Sequence, residues 1–163
     1  EKIEMVREAI PDIALSTDII VAFPGETEEE FRDTLRLMRR VRFDDAFTYK
    51  YSLREGTPAT RLPVEDFIPP EEAQARLEEL IDVSRGIQAE INQDEVGRIE
   101  EVLIEKHGRR EGQILGRTRR NKVVVFDGDP ALVGEYRRVQ LERTTGATFI
   151  GTEILESAAA VRV

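Results

Sequence analysis

The sequence predicts an α/β segment followed by a small antiparallel β-barrel of the OB-like kind. Residues 15–23 are almost continuously apolar and are followed by a helix signal, as in a parallel α/β unit. From Gly97 onward the apolar period changes to two, which is typical of short strands. The charge changes at the same place, since residues 1–96 carry 12 basic and 23 acidic residues and residues 97–163 carry 12 and 10. We therefore expect two domains.

The run from Leu15 to Phe23 is expected to be a strand covered on both faces. Pro24-Gly25-Glu26 ends it. Thr27 and Glu30 have the spacing of a capping box, which predicts a helix start. That helix has an apolar stripe for packing on the strand: Phe31, Leu35 and Met38.

Asp18 is the one carboxylate in this apolar strand. An unpaired buried charge costs several kcal/mol, so a buried Asp18 needs a partner or a polar cavity. Two interpretations stay open at this point. Asp18 is either a structural partner for a neighbouring group or a ligand contact inside a barrel.

Two further elements frame this strand. A helical stripe over residues 3–10 ends at Pro11, and residues 43–52 alternate as a second strand. The intervening helix predicts a parallel, right-handed connection. Two strands are too few for a stable sheet, and the sequence opens without Met, so we expect a fragment of a longer chain whose exposed strand edges favour self-association.

Ligands of α/β sheets gather at the carboxyl ends of the strands. Glu26 follows the first strand, and Arg54 follows the second, just before Gly56. Both are candidates for a ligand contact. The alternatives are that Glu26 only complements a helix start and that Arg54 is simply solvated.

A proline-containing connector over residues 60–70 leads to a helix that is expected from Pro70 to about Asp94. Its acidic face is interpreted as a solvated surface rather than a metal site. Five strands are predicted after it, separated by Gly, Asn and Asp turn signals. They are Arg98–Glu105, Gln113–Thr118, Lys122–Phe126, Glu135–Glu142 and Ala147–Leu155.

The barrel region also contains the basic cluster of the sequence, which we expect to form one face. Its members are Arg109, Arg110, Arg117, Arg119, Arg120, Lys122, Arg137, Arg138 and Arg143. The candidate RNA contacts lie in one hairpin: Arg117, Thr118, Arg119, Arg120, Asn121 and Lys122. The alternative is an ordinary charged hairpin.

Few aromatic residues accompany these cations. Phe126, Tyr136 and Phe149 fit a core as well as a stacking surface, so recognition of RNA backbone and shape is favoured over base stacking. The lone His107, beside Gly108, is interpreted as a turn residue.

Composition excludes several classes. With no cysteine, the chain forms no disulfide and holds no thiolate zinc or cysteine-ligated iron–sulfur site. No apolar run approaches the roughly 20 residues that span a bilayer, and no signal-peptide pattern opens the sequence. We expect a cytoplasmic protein without membrane contact.

Linked motifs in both halves resemble one family. The segments Ser16–Thr27 and Tyr51–Ala59 and the helix start at Pro69-Pro70-Glu71-Glu72 are similar to the later part of radical-SAM methylthiotransferases. The back segment resembles their TRAM domain. Gly116-Arg117-Thr118, Phe126-Asp127-Gly128 and Leu132-Val133-Gly134 resemble the branch that modifies tRNA.

This resemblance implies a partial radical-SAM, TIM-like barrel segment over residues 1–69, a connecting helix over 70–96, a TRAM domain over 97–156 and a tail over 157–163. It implies an enzyme that adds a methylthio group to isopentenylated adenosine beside the anticodon, using S-adenosylmethionine and two [4Fe–4S] clusters. The TRAM domain would bind the anticodon stem-loop. Asp18, Glu26 and Arg54 would line the cofactor side, with no catalytic residue and no metal ligand in this chain, which is expected to be inactive alone.

Two rival hypotheses follow. The chain is a non-enzymatic RNA-binding module, or it belongs to the sister branch of the family that modifies a ribosomal protein.

Overall fold

The structure is a computed structural model that describes residues 1–155, and the predicted tail over 157–163 lies outside the described residues. It divides the chain into two compact units, Glu1–Gln88 and Ala89–Val163. The helix α3, Pro70–Glu95, contributes residues to both units. Each unit is therefore described by itself.

The first unit contains the predicted strand–helix–strand order. Its elements are α1 (Lys2–Ala9), β1 (Ser16–Val21), α2 (Glu28–Val41), β2 (Asp45–Lys50) and the start of α3. β1 and β2 pair in parallel, with Asp18 opposite Phe47 and Ile20 opposite Tyr49. Short 3-10 turns at Pro58–Arg61 and Val64–Asp66 lie in and beside the proline-containing connector.

The predicted start of α2 is confirmed in atomic detail. The Thr27 hydroxyl accepts from the Glu30 N–H at 3.3 Å, and the Glu30 carboxylate accepts from the Thr27 N–H at 2.8 Å. The Thr27 hydroxyl also donates to the Glu30 carboxylate, at 2.8 Å. The hydrogen bonds that this carboxylate accepts from the Thr27 N–H and hydroxyl lower the pKa of Glu30, because they favour its charged form. The helix buries the expected stripe, Phe31, Leu35 and Met38.

The expectation that β1 is covered on both faces is wrong for the described residues. The odd-numbered face of β2 and the even-numbered face of β1 are open, with Ile20 58% exposed and Phe47 and Tyr49 each 51% exposed. The side chains on the opposite face of the two strands are more buried, and in residues 1–88 nothing buries the open face. Asp18 lies on this open face, so it needs no buried partner.

The second unit is a closed five-stranded barrel. Its strands are β3 (Ile99–His107), β4 (Gln113–Thr118), β5 (Val123–Asp127), β6 (Tyr136–Thr144) and β7 (Thr148–Glu153), in the order β3-β4-β5-β7-β6 around the barrel. The OB-like prediction described it as antiparallel, and this needs one correction. β5 and β7 pair in parallel, because β6 intervenes between them in sequence and lies on the far side of β7.

The barrel has its own core. Its fully buried members are Val102, Ile104, Ile114, Val124, Phe126, Val139, Leu141 and Phe149. Phe126 and Phe149 are therefore core residues rather than stacking surfaces. Gly116 is required by a close approach, since a Cβ there would lie 2.3 Å from the Leu103 carbonyl oxygen of the neighbouring strand.

The strand registers define two rims of the barrel. One, which we call the helix-side rim, contains the end of α3 and the residues after it (95–98), the β4–β5 hairpin over 118–122 and the β6–β7 turn over 144–148. The far rim contains the loops over 108–112 and 127–135. Val123 pairs with Thr148, so the hairpin and the turn are adjacent on the helix-side rim.

Candidate nucleic-acid interface

The β4–β5 hairpin is held closed by its own backbone. The Thr118 N–H donates to the Lys122 carbonyl at 3.0 Å, and the Asn121 N–H donates to the Thr118 carbonyl at 2.9 Å. The Thr118 hydroxyl accepts from the Lys122 N–H at 3.2 Å. Asn121 has a φ of 61°, in the left-handed region that Asn tolerates better than most residues. The loop is therefore an ordered platform.

The four cations of this hairpin have different environments. The Arg117 Nη1 donates to the Asn121 backbone and side-chain oxygens, both at 3.0 Å, and its Nε lies 3.3 Å from Glu105. The Arg120 Nη1 lies 2.6 Å from Glu95 Oε1, and Lys122 is only 6% exposed. Arg119 is exposed at the tip of the hairpin.

The expectation of one basic face formed by all nine cations is wrong. Arg109 and Arg110 lie on the far rim, at the opposite end of β4 from Arg119. Arg137 pairs with Glu135 at 2.5 Å and with Glu153 at 3.1 Å. Sequence proximity grouped these residues, whereas the strand direction separates them.

The helix-side rim retains a smaller set of exposed cations. Arg119 comes from the β4–β5 hairpin and Arg143 from the end of β6. Arg98, which precedes β3, is exposed at the same rim and was missed because it was interpreted only as the start of a strand. Burial marks Thr118 and Lys122 as parts of the hairpin framework.

His107 is the last residue of β3 and pairs with Ile114 in the β3–β4 register. It is exposed. The interpretation as a turn residue is thus wrong by one position, since the turn follows it.

The three candidate residues of the first unit lie in different settings. Asp18 is exposed in the middle of β1, Glu26 lies in the turn after β1, and Arg54 is exposed beyond β2, where its carbonyl accepts from the Thr57 hydroxyl at 2.8 Å. Within residues 1–155, no hydrogen bond or ion pair joins any two of these side chains.

Glu26 makes contacts inside its own unit. Its Oε2 accepts from the Ala22 N–H at 2.8 Å, where the Ala22 backbone has a φ of 60°. The same oxygen lies 2.8 Å from Arg76 Nη1, which also donates to the Glu26 carbonyl at 2.9 Å. Arg76, on α3, is 5% exposed. Sequence reasoning missed Arg76 because it is 50 residues from Glu26.

Two opposing effects act on the pKa of Arg76. Burial lowers it, and the hydrogen bond and charge of Glu26, followed by those of Glu72, raise it above the ordinary value. The guanidinium therefore stays charged, and it is balanced by Glu26 at 2.8 Å and Glu72 at 2.5 Å. This network fixes the turn at the carboxyl end of β1.

The chain contains no cysteine, and residues 1–155 contain no cluster of three or more His, Asp or Glu side chains that could hold a metal ion. None of the helices in the same residues is long and apolar enough to cross a membrane.

Comparison with known proteins identifies the barrel. Residues 93–152 match the TRAM domain family. The barrel is a TRAM domain. The match begins inside α3, so the end of that helix belongs to the TRAM domain as well as to the second unit.

Curated relatives extend the similarity to the first unit. The chain is 47% identical over 148 residues to the tRNA-2-methylthio-N(6)-dimethylallyladenosine synthase of Carboxydothermus hydrogenoformans, which covers 90% of this chain and 33% of the relative. It is 47% identical to the enzyme of the same name from Chlorobium luteolum, over 93% of this chain and 34% of the relative. The corresponding Clostridium botulinum protein is 42% identical, with the same coverage.

The chain thus spans about a third of the length of the curated relatives that it matches. Their names and the TRAM match confirm the resemblance to the tRNA-modifying methylthiotransferases that the motifs of both halves predicted.

Proposed function

We propose that this chain is part of a tRNA methylthiotransferase and that its TRAM domain binds tRNA through the helix-side rim. The observation that carries the proposal is the identity of 47% to synthases named for this modification, extending through both units. The substrate proposed for the whole enzyme is isopentenylated adenosine beside the anticodon, and the proposed compartment is the cytoplasm.

The geometry of the helix-side rim supports tRNA binding. Three chain segments bring the exposed Arg98, Arg119 and Arg143 to one end of the barrel. Exposed cations at one end of a barrel can contact phosphates, and such contacts position the nucleic acid without reading its sequence. None of the three rim segments contains an aromatic residue, which favours contact with backbone and shape over base stacking.

The proposed TRAM role is positional. Binding the anticodon stem-loop at the rim would hold one adenosine near the reacting centre, and such proximity replaces a bimolecular encounter by an effectively unimolecular step. The rim residues need no chemistry of their own for this.

The radical chemistry requires groups that this chain does not hold. Cysteine thiolates ligate [4Fe–4S] clusters of this type, and the chain has none, so its residues do not fit either cluster. We propose that residues 1–69 form the later part of a radical-SAM barrel. Asp18 and Arg54 are the proposed contacts to S-adenosylmethionine or substrate, because both are exposed, whereas the Glu26 carboxylate is engaged by Ala22 and Arg76.

A matched pair of charge reversals tests the proposal. Arg119→Glu, on the helix-side rim, is expected to weaken tRNA binding by the chain at least tenfold at moderate salt, since it replaces a phosphate contact by a repulsion. Arg109→Glu makes the same change on the far rim and is expected to leave the affinity within about twofold. Binding is measured by fluorescence anisotropy with a labelled anticodon stem-loop.

Equal losses for both variants would show a diffuse electrostatic attraction and would contradict a specific rim. Unchanged affinity for Arg119→Glu would reject the rim itself. Binding to a ribosomal protein but not to tRNA would favour the sister branch of the family.

The second candidate function is a non-enzymatic RNA-binding module. The barrel forms a compact unit of its own with exposed cations at one rim, which favours it. Methylthiolation of tRNA by the complete protein distinguishes the two, since a protein that only binds RNA would leave the adenosine unmodified.

A further inference from the structure

We propose that Glu95 is a positioning residue for RNA binding, which holds the β4–β5 hairpin through Arg120 so that Arg119 is presented to phosphate. In this proposal Arg120 and Lys122, although they are cations of the basic hairpin, do not contact RNA. The inference rests on the proposed RNA-binding role of the helix-side rim and corrects which hairpin cations perform it.

The central contact is an ion pair at the end of α3. The Arg120 Nη1 lies 2.6 Å from Glu95 Oε1, with the Glu95 side chain 4% exposed and the Arg120 side chain 20% exposed. Removing one partner of such a buried ion pair strongly destabilises the surrounding structure, because the other charge stays buried without a compensating charge. The ion pair therefore holds the β4–β5 hairpin against the end of α3, and it is not a solvent-exposed surface pair.

A second contact from the same helix turn reaches the other rim loop. The Asn92 side chain is fully buried, and its Nδ2 donates to the Gly146 carbonyl at 2.6 Å. Just after the helix, the Gly97 N–H donates to the Leu141 carbonyl at 2.6 Å. The last turn of α3 thus holds the β4–β5 hairpin and the β6–β7 turn at fixed positions.

Fixing these loops before binding should raise affinity. A cation on a mobile loop must be ordered when it meets a phosphate, and this ordering reduces the net binding free energy. Here the loop is ordered by contacts within the TRAM domain. Arg120 forms an ion pair with Glu95. Arg119 is exposed at the tip of the hairpin and is the hairpin cation that we expect to contact RNA.

The sign of one substitution separates positioning from simple electrostatics. Glu95→Gln removes a negative charge near a phosphate-binding surface, so Coulomb attraction alone predicts tighter RNA binding. Loss of the anchor predicts weaker binding. Asp94 is the matched control, because it is the preceding residue of α3 and is exposed, so Asp94→Asn removes the same charge without touching the hairpin.

The experiment measures binding of the full chain to the anticodon stem-loop at several salt concentrations. We expect Glu95→Gln to weaken binding about three- to tenfold, with the slope of log K against log salt unchanged, and Asp94→Asn to bind equally or slightly more tightly. Arg119→Gln should make that slope shallower by about 0.7 to 0.9, as the loss of one phosphate contact does. Arg120→Gln should weaken binding without changing the slope.

Two results would overturn the inference. One is a Glu95→Gln chain that binds as tightly as Asp94→Asn, and the other is an Arg120→Gln chain whose salt slope falls as far as that of Arg119→Gln. If Glu95→Gln does not fold, the slope of log K against log salt for Arg120→Gln still tests the inference.

An RNA-free measurement separates this inference from the proposed function. Amide hydrogen exchange of residues 118–122 should accelerate in Glu95→Gln and not in Asp94→Asn, because only the first releases the hairpin. Unchanged exchange would reject the anchor even if the chain binds tRNA. A wild-type chain that shows the anchor but does not bind tRNA would reject the proposed function instead.

Discussion

The two units of this chain end their sheets in opposite ways. The TRAM barrel closes on itself, so all five strands have neighbours on both sides and eight apolar side chains fill the interior. The first unit has two parallel strands, and one face of this pair exposes Ile20 and Tyr49. The barrel therefore buries its apolar side chains within its own strands, whereas the described part of the first unit leaves apolar side chains exposed on one face.

The largest expected effect tests the closed core. Phe149→Ala should destabilise the barrel by about 3–5 kcal/mol, because a fully buried aromatic ring is replaced by a cavity. Amide exchange of the barrel strands measures the loss. Tyr49→Ala, on the open face, is the control and should change the stability of its own unit by no more than about 0.5 kcal/mol. Equal losses of stability in the two variants would contradict the difference between a closed core in the barrel and an open face in the first unit.

A smaller effect tests the open face. Exposed apolar surface and unpaired strand edges favour association between copies of the chain, so light scattering should detect it at high concentration. Replacing both Ile20 and Tyr49, which lie opposite each other, by Ser should weaken the association at least about tenfold. Leu37→Ser, an exposed apolar change on α2, should not. A wild-type chain that stays monomeric would contradict this prediction.

The smallest effect concerns local structure in the first unit. Thr27→Ala should destabilise α2 by about 1 kcal/mol, since the helix loses the side-chain acceptor for the Glu30 N–H. Thr27→Ser keeps the hydroxyl and should retain most of the stability. Amide exchange in the first turn of α2 reports the difference, and identical protection in the two variants would show that the cap contributes nothing.

Local patterns were sufficient to predict most elements. The β4 bounds agree with the predicted Gln113–Thr118, and the capping box of Thr27 and Glu30 is present. Both signals lie within a few neighbouring residues, where alternation and spacing reflect the local backbone directly.

The features that the sequence did not predict all depend on contacts between residues that are distant in sequence. The parallel pairing of β5 with β7, the Arg76–Glu26 contact and the Glu95–Arg120 contact each join segments that are far apart in sequence. Adjacent basic residues predicted a shared face for Arg109 and Arg119, but β4 runs between their loops and places them at opposite rims. The charge of the sequence located the cations in the barrel region but did not predict which of them share a rim.

Backbone NMR of the labelled chain during titration with the anticodon stem-loop locates the RNA-binding surface residue by residue. Chemical-shift changes should concentrate at residues 95–98, 118–122 and 144–148, and they should weaken as salt is raised. Changes centred on residues 108–112 of the far rim, or on residues 1–88, would contradict this prediction.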